Sequence, residues 1–186
     1  MRQSRILIGS LIALSVGLAG LVGWPGRAVQ LSNGTVYFNH PPLLVRASTT
    51  QNAAYIYGAT YYFELNLSEK AGEPLGKVVI SPEPSLDNVD FELEKTEAFE
   101  GNWRHEGAAL PIKNVIQDPH TQAIAVTFDP PVPPGRTISI GLRPERNPFA
   151  GVYLFGVTAF PAGEVAYGQF LGYGRIQIYE RGGIFW

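Results

Sequence analysis

The side chains able to do chemistry are scattered, and their spacing limits what each can do. His40, His105 and His120 stand apart, none with a second ligand at the short spacing that metal sites use. Each reads as a surface or turn histidine. The densest titratable set is the acidic row Asp87, Asp90, Glu92 and Glu94 in DNVDFELE. Acids at period two leave one face of a strand together, and such oxygen ligands can hold calcium. The same period also describes a solvated face, or an edge kept from pairing with neighbouring chains. No Asp-x-Asp-x-Asp-Gly loop is present, so the solvated face is the reading adopted and no metal is assigned.

Nucleophilic chemistry finds no framework either. The sequence has no Gly-x-Ser-x-Gly elbow and no Ser-x-x-Lys. Gly172-Tyr173-Gly174 lies in a strand-like context with no helix after it, so it is not a phosphate loop. The absence of cysteine excludes thiol catalysis, haem attachment and thiolate metal sites. The chain therefore reads as non-enzymatic, and no cofactor is expected. Aromatic residues are the conspicuous surplus: Tyr153, Phe155, Phe160, Tyr167, Phe170, Tyr173, Tyr179, Phe185 and Trp186 crowd the C-terminal third. Core packing is the plain account of them. The functional account is a platform for a carbohydrate or an apolar ligand, because aromatic faces stack on both.

The elements that must position these residues are strands. In residues 124–142, Ile124, Val126 and Phe128 alternate with Ala125, Thr127 and Asp129, and Ile138, Ile140 and Leu142 alternate with Thr137, Ser139 and Gly141. That is the pattern of strands with one face on a core. Between them, Asp129-Pro130-Pro131-Val132-Pro133-Pro134-Gly135 reads as a turn that no ladder can cross, since proline has no N–H. A polyproline II ligand is the other reading of this segment. Asp118-Pro119-His120-Thr121 predicts a hairpin turn between residues 110–117 and 122–129. Strands are also expected over 55–67, 75–81, 87–94 and 175–180, with a brief edge strand at 43–45, while residues 169–173 are aromatic and punctuated by glycine. Residues 152–160 form an apolar run too continuous for a half-exposed strand, which predicts a central one. Residues 96–107 read as a long loop with at most one helical turn. Short strands at this spacing, with Gly/Pro turns, predict an all-β fold: a single β-sandwich, immunoglobulin-like.

The N-terminus follows a different rule. Arg2 and Arg5 precede an uncharged apolar run over 6–23, and Gly26 and Ala28 offer small residues for cleavage. This order predicts a signal peptide over 1–28, with residues 29–186 as one domain. Retention of the run as an anchor is the alternative, and the one route to a membrane. Removing 1–28 takes Arg2, Arg5 and Arg27 from 14 basic side chains, leaving 11 against 16 acidic and a net charge of −5. A mildly acidic chain does not suit nucleic acid. The closing Gly182-Gly183-Ile184-Phe185-Trp186 reads as a tail that docks on the domain or presents its carboxylate to a partner.

Several motifs recur together: Phe128-Asp129 with the proline cluster to Gly135, Gly151-Val-Tyr-Leu-Phe-Gly-Val157, Ala159-Phe-Pro-Ala-Gly-Glu164 and Gly168-Gln-Phe-Leu-Gly172. With these, the sequence resembles a group of exported cyanobacterial proteins known as a domain of unknown function. The resemblance spans residues 30–180 and implies export and one domain, with no activity or site residues attached.

The functional expectation is an exported, non-enzymatic binding or structural module of the cell envelope, periplasm, thylakoid lumen or extracellular space. It would work through a sheet face or loops such as 143–150, with an envelope protein or polysaccharide as partner. A carrier of a small ligand or metal ion is the alternative, and a hydrolase without a recognisable motif the third.

Overall fold

The structure is a computed structural model that describes residues 29–30, 34–85 and 87–181. The expected export segment (1–28) and the Gly-Gly-Ile-Phe-Trp tail (182–186) lie outside the described residues. Strands β1 (Val29–Gln30) and β2 (Val36–Tyr37) form a short ribbon. β3 (Leu43–Thr49), β4 (Tyr61–Leu67), β5 (Leu75–Pro82), β6 (Glu97–Asn102), β7 (His105–Ala109) and β8 (Ile112–Gln117) follow. β9 (Ile124–Val132), β10 (Arg136–Leu142), β11 (Gly151–Pro161) and β12 (Gln169–Ile178) complete the chain. They make two five-stranded antiparallel sheets, ordered β3-β4-β10-β6-β7 and β12-β11-β5-β9-β8. The protein is an all-β, immunoglobulin-like sandwich.

The alternating residues fill the space between the sheets. Phe63, Leu65 and Leu67 of β4 and Ile138, Ile140 and Leu142 of β10 line one inner face. Ile80 of β5, Ile124, Val126 and Phe128 of β9, and Phe155 and Val157 of β11 line the other. Each large side chain buried this completely contributes roughly 1.5–3 kcal/mol before entropy is counted. With no disulfide available, this core is what holds the sheets together. β12 closes against β3, where Gly174 permits contact: a Cβ there would stand 2.8 Å from the Ala47 Cβ and 2.9 Å from the Phe63 ring.

Several expectations change. Residues 124–142 do hold two strands with the predicted parity, but β9 and β10 belong to opposite sheets, so the segment crosses the sandwich. The ladder also runs further into the prolines than expected. Thr127 pairs with Lys77 and Val132 with Leu75, so Pro130 and Pro131 occupy a bulge opposite Gly76 where no ladder bond is needed. The turn itself is only Pro133-Pro134-Gly135. Residues 97–107 are not a loop but the β6–β7 hairpin, because β10 offers Ala98 and Phe99 a partner strand. The Trp103 ring stacks on Tyr62, with ring centres 6.4 Å apart, over the outer face of β4.

The acidic row is not a strand. Phe91 makes one isolated bridge to Pro144, and residues 93–95 form a 3-10 turn. Its alternation still sorts the side chains, for Val89 and Phe91 are buried while Asp90 and Glu94 face solvent. The strand expected from residue 55 starts only at Tyr61, and residues 53–58 form a turn. β11 lies between β12 and β5 as expected, yet Val152 and Leu154 are 46% and 38% exposed because this outer face is uncovered.

Candidate functional site

At one end of the sandwich three connections meet: residues 50–60 between β3 and β4, 83–96 between β5 and β6, and 143–150 between β10 and β11. A buried asparagine joins the first of them to the third. Asn147 is fully buried, and its side-chain amide donates to the carbonyls of Gln51 (3.0 Å) and Ala53 (2.9 Å). Its Oδ1 accepts from the Tyr61 hydroxyl at 3.0 Å. Backbone bonds repeat the connection, from the Tyr55 N–H to the Asn147 carbonyl (3.1 Å) and from the Asn147 N–H to the Ile56 carbonyl (2.8 Å). This saturated set is what the interior requires of a buried amide.

Tyr61 ties the junction to the core. Its ring meets Phe91 and Phe155 edge-on, each with centres 6.0 Å apart. Burial, and then neighbouring Tyr153, pushes its hydroxyl above the usual tyrosine range, so it is a neutral donor across the physiological pH range. Residues 83–96 are held to 143–150 in turn. The Glu145 N–H donates to the Asp90 carbonyl and the Glu92 N–H to the Arg143 carbonyl, both at 2.9 Å. The Phe149 N–H donates to Asp87 Oδ2 at 3.3 Å, and the Tyr153 hydroxyl to the Phe149 carbonyl at 2.9 Å. The segment after β12 pins the first loop from its other side, with the Tyr179 N–H donating to the Asn52 carbonyl (2.7 Å) and the Ala54 N–H to the Tyr179 carbonyl (2.9 Å).

Between these braced loops lies an open groove of about 610 Å³. Tyr57 lines it from the first loop, Ser85, Asp87, Asn88 and Asp90 from the second, and Glu145, Arg146 and Pro148 from the third. Tyr57 is 72% exposed, so its ring is free to meet a ligand. Three carboxylates face one guanidinium, and that of Arg146 sits 5.7 Å from the Tyr55 ring centre. Tyr55 itself holds a positive φ of 59°, an unfavourable value for a tyrosine that the surrounding hydrogen bonds fix. The Ser85 hydroxyl donates to the Asp87 carbonyl at 2.6 Å, not to a base, and no histidine lines the groove. The lining offers hydrogen-bonding groups, charge of both signs and an aromatic face.

The four acids of the row are thus divided. Asp87 and Asp90 line the groove. Glu92 turns to Lys95 and to Arg143, the latter at 3.5 Å. Glu94 stands over a separate shallow depression with Leu93 and Ile112. Among the described residues no group of three or more His, Asp or Glu is placed to hold a metal. The aromatic surplus divides as well. Tyr153 and Phe155 are core, whereas Phe170 and Tyr173 lie edge to face, 5.2 Å apart, on the outer face of β12 beside Leu154. Tyr167 packs against Tyr37, centres 4.7 Å apart, and Tyr179 is exposed. Phe185 and Trp186 lie outside the described residues. No described helix is long and apolar enough to cross a membrane.

Sequence reading missed Asn147 and Tyr57. Asn147 sits unremarkably in Arg-Asn-Pro, and its partners are 86 to 96 residues away. Tyr57 was masked by its place in an apparent strand pattern.

Among solved structures, the C-terminal domain of the Streptococcus pyogenes antigen I/II-family protein AspA is similar at 12% identity and TM-score 0.44, over 72% of this chain and 46% of that one. The chain thus spans about half the length of that structure. BslA, a bacterial hydrophobin, is similar at 14% identity and TM-score 0.42, over 76% of this chain and 100% of that one. The collagen-binding domain of a Staphylococcus aureus adhesin gives 10% and 0.39, over 73% and 97%. What those proteins bind does not transfer at this level of likeness. Comparison with curated proteins finds no significant match. The family model described as a protein of unknown function, DUF2808, matches residues 35–178, and the chain belongs to that family.

Proposed function

We propose that the protein is an exported, non-enzymatic binding module whose recognition surface is the loop end of the sandwich. The observation that carries this reading is the buried Asn147 junction, which fixes one loop of the groove to another and both to the core. A binding surface held in one arrangement before contact loses less entropy when it is occupied. Conserving shape alone would not require the lining side chains to remain open to solvent, as Tyr57 does. The compartment is the periplasm, the thylakoid lumen or the cell exterior, and the partner an envelope protein or polysaccharide. The signal-like order of residues 1–28 supports export.

Hydrogen exchange read by mass spectrometry on the full chain, with and without an isolated envelope fraction, tests the reading. Protection is expected in residues 51–58, 87–90 and 143–149. Protection confined to β11 and β12, or to none of the molecule, contradicts it.

A further inference from the structure

Resting on that reading, we propose that the loop groove takes a neutral saccharide. The argument begins with Tyr57. Its ring is 72% exposed on a turn whose backbone is tied through Tyr55 and Ile56 to Asn147, so the turn presents an aromatic face at a fixed place on the rim of the groove. A flat aromatic face open to water suits the C–H face of a sugar ring, which is apolar while its rim is hydroxylated. Opposite elements supply that rim's partners. Asn88, Asp90 and Glu145 line the groove, and their side chains have no hydrogen-bond or ion-pair partner among the described residues. Carboxylates accept from paired hydroxyls, and an amide both donates and accepts, which is the set a vicinal diol needs.

The same lining argues against other ligand classes. An apolar ligand would find mainly charged and amide groups. A uronate or phosphate would meet three carboxylates, with the Arg146 guanidinium near Tyr55 as the one cation of the lining. At about 610 Å³ the groove lies within the size range of small-molecule sites and has room for a short oligosaccharide.

Titration calorimetry on the full chain with glucose oligomers and N-acetylglucosamine oligomers tests this, with spermine as a cationic probe. Saturable binding of a sugar oligomer is expected, unchanged between about 0.05 and 0.5 M salt because the ligand is uncharged. Tyr57→Ala should weaken it about tenfold, and its melting temperature should match the parent because the ring is exposed. Glu145→Gln, which removes the charge and keeps the shape, should weaken it less. Failure of both sugars to bind overturns the proposal, as does binding that Tyr57→Ala leaves untouched. Salt-sensitive binding of spermine in place of sugar also overturns it and identifies a cationic ligand. If sugars fail while envelope material still protects the loop end from exchange, the saccharide is wrong and the binding module stands. If that protection lies elsewhere, both fall.

Discussion

At the residue scale the molecule turns on Asn147. Its three side-chain hydrogen bonds join two loops to the Tyr61 hydroxyl beneath them. Asn147→Ala takes the side-chain donor from the Ala53 carbonyl and the acceptor from the buried Tyr61 hydroxyl, while the Gln51 carbonyl keeps the Thr49 hydroxyl at 2.7 Å, and should destabilise by about 1–3 kcal/mol in urea unfolding. A loss under about 0.5 kcal/mol would show that water takes over those partners. Glu73 makes a different case. Its Oε1 is buried without a partner, and burial pushes its carboxyl above the usual range. A raised folded-state pKa means that the favourable contribution is complete below the unfolded value of about 4.3 and is lost as pH rises through the folded value. Glu73→Gln should therefore flatten the fall in melting temperature as pH rises from about 4 to 7. An unchanged pH profile would show that the carboxyl is solvated. Neither residue was legible in the sequence, because the role of each is set by partners brought from distant segments.

At the element scale the sequence was more informative, and its errors have physical causes. Alternation alone was enough to assign the inner face of β9, where Phe128 is 3% exposed. Phe128→Ala should cost about 3–5 kcal/mol, while Ile116→Ala on exposed β8 should stay within about 0.5 kcal/mol. Equal losses in a chemical melt would mean that the parity is wrong. The Asp118 turn was legible for a related reason, being local: its carboxylate accepts from the His120 and Thr121 N–H groups, both at 2.8 Å. Pairing partners were not legible. Period two says that a strand has a core face, but not which sheet receives it, so the passage of β9 and β10 to opposite sheets had no signal. Nor did the β6–β7 hairpin, whose strand character depends on β10 beside it. The crossing turn depends on Gly135, whose φ is +82° and whose N–H donates to the Leu67 carbonyl at 2.8 Å. Gly135→Val adds a side chain where the Glu69 Cγ stands 3.1 Å away, and should destabilise by about 1–3 kcal/mol. A neutral result would mean that the turn rearranges.

At the scale of the whole molecule, two surfaces compete for the role of recognition site. One is the braced groove; the other is the outer face of β11 and β12, with Phe170, Tyr173, Leu154 and Val152 exposed. Scattered exposed apolar residues are ordinary on a soluble protein, and this face contains Arg175 and Gln177 beside the apolar ones. The groove differs in being built, since its loops are joined to each other and to the core. The strand pattern and the lack of a recognisable catalytic motif led the sequence reading to expect a binding or structural module. The sequence reading named residues 143–150 as one candidate surface; that residues 50–60 and 83–96 share a groove with them is visible only in the fold. Co-sedimentation with the envelope fraction compares the two surfaces directly, using a Tyr57→Ala/Asp90→Asn double variant and a Phe170→Ala/Tyr173→Ala double variant beside the parent protein. Loss of retention in the groove variant, with the sheet-face variant retained like the parent, is the predicted result. Retention that survives the groove substitutions and is lost with Phe170 and Tyr173 would contradict it.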